Sequence, residues 1–145
     1  MKIFSFMEKN IKIFTDGGAR GNPGPAGIGF VIQDAIGKII FEFGKYIGET
    51  TNNQAEYKAL LMALEKALEL KLENVNCYLD SELVVKQLKG EYKVKDKDLG
   101  ILFVKIWNLS QKFKSISYTH ILREKNKRAD WLVNEALDTN QEKNN

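Results

Sequence analysis

Ile11-Lys12-Ile13-Phe14-Thr15-Asp16-Gly17-Gly18-Ala19-Arg20-Gly21-Asn22-Pro23-Gly24-Pro25-Ala26-Gly27 is the stretch that sets the architecture of this chain. Residues 11–16 read as a strand that Gly17-Gly18 stops. Arg20-Gly21-Asn22-Pro23-Gly24-Pro25 is dense turn chemistry. A second strand follows over 27–32, Asp34 to Gly37 turns the chain, and a third strand runs over 38–43. Connections this short make the three strands an antiparallel meander.

Beyond the meander the period changes. Thr51 or Asn52 can cap a helix whose apolar stripe is Leu60, Ala63, Leu64, Ala67 and Leu68, spaced i, i+3, i+4, i+7, i+8. Glu56 lies one turn before Leu60 and so points with the apolar face. Residues 76–80 form a short apolar fourth strand. A helical crossover leads to it, so it is expected to pair in parallel with the first strand. Ser81 caps a second helix carrying Leu83, Val84 and Leu88, which Gly90 ends. A third helix over 99–113 buries Leu102, Ile106, Leu109 and Phe113, and core packing is also expected of Trp107. A fifth strand over 115–121 precedes a last helix over 126–137, with Ala129, Leu132, Val133 and Ala136 facing in.

The element order is therefore βββαβααβα, an α/β fold. Asp16 and Asp80 come to the C-terminal ends of neighbouring parallel strands, where open α/β sheets carry their sites. Glu56 and Asp130 arrive from the first turns of two helices. Each acid alone has an ordinary explanation as a turn former, helix cap or ion-pair partner. Together they fall at one end of one sheet, where four unpaired charges would be costly to desolvate. A pair of divalent cations is the usual remedy, and phosphodiester cleavage is the usual work of such a pair.

The 145 residues amount to one domain over 11–137, with an extension over 1–10 and a polar, flexible tail over 138–145. No apolar run is long enough to span a bilayer, and residues 1–10 lack the pattern of a signal peptide, which points to a cytoplasmic protein. Cys77 is the only cysteine and reads as a buried strand residue. With one histidine and no Cys/His cluster, a structural zinc site is disfavoured, and hard cations on oxygen ligands remain. The net charge of +3 hints at nucleic acid, more so if metal neutralises the four acids.

The chain resembles a type 1 ribonuclease H, of the compact, archaeal-like branch that lacks a basic protrusion. The resemblance is carried by residues 15–27, by Thr51-Asn52-Asn53-Gln54-Ala55-Glu56, by Leu79-Asp80-Ser81 and by His120 to Asp130. It implies a ribonuclease H-like fold with a five-stranded mixed sheet of order 3-2-1-4-5 flanked by helices. It also implies cutting of the RNA strand of an RNA–DNA hybrid with two Mg²⁺ ions, for which Mn²⁺ can substitute, leaving 5′-phosphate and 3′-hydroxyl ends. Asp16, Glu56, Asp80 and Asp130 then become metal ligands, with Asp16 bridging both ions, and His120 has the offset of a family residue that aids proton transfer or product release. Asn22, Thr51 and Asn53 match residues that touch the minor groove and a phosphate, in keeping with amide reading of 2′-hydroxyls. Gly21 permits close backbone approach there, beside Arg20. Lys93 and Lys95, on a short connection, are candidates for tracking DNA phosphates. The protein is expected to be a monomer with no membrane partner. Double-stranded RNA is a possible second substrate. A non-catalytic hybrid- or RNA-binding module and a DNA nuclease of the same fold stand as alternatives.

Overall fold

The structure, a computed structural model, describes residues 10–144, so the expected extension over 1–10 lies outside the described residues apart from Asn10. Three strands come first: β1 (Ile11–Ala19), β2 (Gly24–Gln33) and β3 (Ile39–Thr50). Then follow α1 (Asn52–Glu69), β4 (Asn74–Leu79), α2 (Glu82–Leu88), α3 (Lys97–Ser110), β5 (Ser115–His120), a 3-10 turn (Arg123–Lys125) and α4 (Lys127–Lys143). The sheet has the order β3-β2-β1-β4-β5. β1 pairs antiparallel with β2 and parallel with β4, and β4 pairs parallel with β5. The expected topology and the parallel crossover are both present.

Strand alternation sorts the two faces of the sheet. Ile11 and Ile13 of β1 and Ile28, Phe30 and Ile32 of β2 pack with Tyr57, Leu60, Ala63 and Leu64 of α1 in the main core. Leu99, Leu102 and Ile106 of α3 close that core from outside α1. α4 covers the opposite face, seated on glycines: a Cβ on Gly29 would lie 2.5 Å from the Ala129 carbonyl oxygen, and one on Gly44 2.7 Å from that of Leu132.

Those glycines explain why the strands outrun their expected ends. Gly17 and Gly18 do not stop β1; they pair with Ile28 and Gly27 of β2. A Cβ on Gly17 would sit 2.3 Å from the backbone of Ala55, so the residue is small because α1 touches the strand there, not because the chain turns. β3 likewise passes through Gly44 and Gly48 to Thr50, absorbing a register shift opposite Ala26 and Gly27.

One side chain and one helix end also differ from expectation. Trp107 is exposed rather than in the core. The buried line of α3 is Leu99, Leu102, Ile106 and Ser110, and Trp107 lies about 100° around the helix from Ile106. The last helix does not stop near 137 but runs to Lys143 through most of the expected tail. A distant residue supports the extra turns: Arg20 pairs with Asp138 at 2.7 Å and donates to Gln141 at 3.3 Å.

Candidate active site

The sheet delivers the first two acids side by side. Thr15 pairs with Leu79 across β1 and β4, so Asp16 and Asp80 are the next residues on adjacent parallel strands. The Thr51 hydroxyl accepts the Gln54 N–H at 3.2 Å and starts α1 so that Glu56, in its second turn, is buried against Asp16. Ser81, not Asp80, caps α2 by accepting the Val84 N–H at 3.3 Å, which leaves the Asp80 carboxylate free for the cleft. Asp130 joins from the first turn of α4. All four acids line one cleft of about 290 Å³ together with Arg20, Asn52, Arg123 and Asn134. A larger hollow of about 380 Å³ between β3 and α4 has Glu135 as its one carboxylate and offers no comparable chemistry.

Within the cleft the acids are not equivalent. Asp16, Glu56 and Asp80 each present an oxygen, and these oxygens all lie within 4.8 Å of one another. Asp130 stands outside that trio, with Arg123 at 3.5 Å from its Oδ1. Burial, and then the charge of Asp80, push the Asp16 carboxyl up to about 7. Burial, then the charges of Asp16 and Asp80, raise Glu56 well above the usual carboxylate range. Glu56 Oε2 is buried with no hydrogen-bond partner. Three converging carboxylates and a buried orphan oxygen fit a hard divalent cation, which would relieve the repulsion and satisfy that oxygen.

The chain is similar to known proteins. The family described as reverse transcriptase-like matches residues 14–136. The ribonuclease H of Buchnera aphidicola is 33% identical, over 90% of this chain and 92% of its own. The chain belongs to the ribonuclease H family. The ribonuclease HI of Halobacterium salinarum is 45% identical over 88% of this chain and 64% of its own length. A bifunctional protein of Mycobacterium tuberculosis is matched over 35% of its length, so the chain spans only part of these relatives. LC11-RNase H1, solved in complex with an RNA/DNA hybrid, superposes with a TM-score of 0.87 at 51% identity, covering 90% of this chain and 99% of that one.

In this chain the other sequence-predicted residues fall into two groups. Those near the cleft are tied into its rim. The Asn22 side-chain oxygen accepts the Asn52 N–H at 3.0 Å, and the Asn52 side-chain oxygen accepts the Ala19 N–H at 2.7 Å, fastening the β1–β2 turn to the start of α1. Gly21 makes that turn with φ of +86°, in the left-handed region that favours glycine. Asn53 is exposed beside it. Arg20 is engaged with Asp138, Asn134 and Gln141 of α4. His120, Lys93 and Lys95 do not line the cleft. His120 is exposed at the end of β5, and both lysines are exposed between α2 and α3. Cys77 is buried, and burial pushes its thiol far above the ordinary range, as its strand setting implied.

One residue of the site was named only as part of a motif. Asn126 is 2% exposed, and its Nδ2 donates to the Thr15 carbonyl oxygen at 2.8 Å and to Asp80 Oδ2 at 3.0 Å. Its place in Asn126-Lys127-Arg128-Ala129-Asp130 was the available signal, but its partners are remote in sequence.

Proposed function

We propose that the protein is an endoribonuclease that hydrolyses the RNA strand of RNA–DNA hybrids. The observation that carries the reading is the convergence of Asp16, Glu56, Asp80 and Asp130 on one cleft. These residues would hold two divalent cations, Mg²⁺ first and Mn²⁺ in its place. When bound, such a pair supplies Lewis-acid activation of water and stabilisation of the leaving oxygen. The chain's own work is placement. β1 and β4 present Asp16 and Asp80 in fixed register, α1 buries Glu56 beside them, and Asn126 holds Asp80 in its rotamer. Attack of water at phosphorus with departure of the 3′ oxygen leaves 5′-phosphate and 3′-hydroxyl ends.

Strand choice falls to the rim. Asn22, Thr51 and Asn53 would read 2′-hydroxyls and a phosphate in the minor groove, and Lys93 and Lys95 would follow the DNA backbone. The hydrogen bond from the Asn52 N–H to the Asn22 side-chain oxygen supports a preformed reading edge, since both partners belong to the chain itself. The hybrid-bound structure of LC11-RNase H1, 51% identical, supports the same substrate class.

The test is a substrate panel with labelled hybrid, RNA duplex, DNA duplex and a duplex with one ribonucleotide, each with Mg²⁺ and with EDTA. Mg²⁺-dependent cutting of the RNA strand of the hybrid is the expected result. Binding without product would make the protein a non-catalytic module, and cutting of DNA alone would make it a nuclease of another specificity. Product from the RNA duplex would add that substrate.

A further inference from the structure

The turn over 20–25, between β1 and β2, is closed tightly on itself. The Arg20 N–H donates to the Pro25 carbonyl oxygen at 2.8 Å. A Cβ on Gly24 would lie 2.1 Å from the Arg20 carbonyl oxygen, so the two arms of the turn are in contact. Wherever Arg20 is held, the rest of the turn follows, Asn22 included.

The Arg20 side chain leaves this turn for α4. Its Nη2 lies 2.7 Å from Asp138 Oδ1 and donates to Asn134 Oδ1 at 3.3 Å, and its Nη1 donates to Gln141 Oε1 at 3.3 Å. Asn134, Asp138 and Gln141 follow at i, i+4 and i+7, so one face of α4 offers three oxygens to a single guanidinium. Asn134 is itself fixed, since its Nδ2 donates to the Asp130 carbonyl oxygen at 3.0 Å, one turn earlier. A planar fork with several donors fits that set, and the point charge of an ammonium does not span it.

Stability does not account for this cluster. The Arg20 and Asp138 side chains are 41% and 58% exposed, and an ion pair so open to water contributes little. Position does account for it. Asn22 and Asn52 fasten the turn to α1, and Arg20 adds a second point of attachment, on the helix that carries Asp130. The guanidinium stands at the cleft wall with both terminal nitrogens engaged by α4. We infer that Arg20 is a positioning residue, which docks the 20–25 turn on α4 and so sets Asn22 where the hybrid is read, without contacting a phosphate itself. The inference rests on the reading of Asn22 as a substrate contact. It makes the end of α4, through Asp138 and Gln141, part of the substrate-binding apparatus.

The experiment compares Arg20→Ala, Arg20→Lys, Asp138→Ala and the double variant Arg20→Ala with Asp138→Ala, each in the full chain. Amide hydrogen exchange is followed at Arg20 and Asn52, whose N–H groups are both bonded to the turn. Hybrid cleavage with Mg²⁺ is measured in parallel over a range of salt. Exchange at both amides should quicken about fivefold or more in Arg20→Ala and in Asp138→Ala. KM for the hybrid should rise about fivefold or more in the same two variants, with kcat within about twofold of the parent. The double variant should be no worse than either single one, because each breaks the same joint. Arg20→Lys should fall between Arg20→Ala and the parent. Melting midpoints should drop by no more than about 4 °C. In Arg20→Ala the dependence of hybrid affinity on salt should keep its slope; a slope shallower by about one would make Arg20 a phosphate contact and overturn the inference. A parental KM in Asp138→Ala, or additive losses in the double variant, overturns it as well. Unchanged exchange at the turn in both single variants overturns it whatever the activity. A parent that leaves the hybrid uncut refutes the proposed function, and the exchange measurement still decides whether Arg20 docks the turn.

Discussion

Asn126 holds Asp80 through a hydrogen bond of 3.0 Å from Nδ2 to Oδ2, and the same amide nitrogen donates to the carbonyl oxygen of Thr15 at 2.8 Å. The side chain thereby joins the ends of β1 and β4 to the start of α4. Asn126→Asp keeps the shape but replaces the donor with an acceptor facing two acceptors. A loss of about 2–4 kcal/mol of stability is expected, with weaker hybrid cleavage. Thermal melts and cleavage assays on the purified variant check this, and an unchanged melting midpoint would show that the joint bears no strain.

Asp16→Asn and Asp80→Asn each remove a carboxylate from the trio whose oxygens lie within 4.8 Å of one another. The loss of several kcal/mol of cation-assisted stabilisation corresponds to about a thousandfold or more in rate. Hybrid binding, which the proposal assigns to the rim, should change little. Measuring cleavage and hybrid affinity side by side separates the two effects; full activity in either variant would remove these residues from the site.

The metal-free protein has a pH signature. Folded, the Asp16 carboxyl is pushed up to about 7 from its ordinary 3.8, first by burial and then by Asp80. The folded state holds this proton more tightly than the unfolded one. Its contribution to stability is therefore present below about pH 4 and is lost as pH rises through about 7. In EDTA, Asp16→Asn should match the parent near pH 4 and exceed it by a few kcal/mol near pH 8. Added Mg²⁺ should reverse the order by stabilising only the parent. A gap that stays constant across this range in melts at the two pH values would contradict the assignment.

Gly17→Ala tests the contact between β1 and α1. The new methyl would lie 2.3 Å from the Ala55 backbone, so the strand or the helix must move. A cost of about 1–3 kcal/mol is expected, with a fall in Mn²⁺ affinity because Glu56 shifts away from Asp16. Calorimetric titration with Mn²⁺ measures the second effect; tight binding in a destabilised variant would separate packing from the site.

The meander and the crossover were legible because each depends on local patterning: alternation, turn residues and a helix of the right period between two strands. The acids were legible for the same reason, since each lies near an expected strand end or helix start whose place the pattern predicts. Contacts between remote residues were hidden. Gly17 looks like a strand stop until α1 is seen lying on it. The end of α4 depends on Arg20, more than a hundred residues earlier. Asn126 shows its function only when Thr15 and Asp80 are beside it. Trp107 is large and apolar, but its angle on the helix turns it to solvent.

The first strand lies in the middle of the sheet, and its acid works only beside residues 56, 80 and 130. On the ribosome, Asp16 emerges early and waits for nearly the whole domain before the cleft can close around it. A partly made chain therefore carries the residue without the pocket.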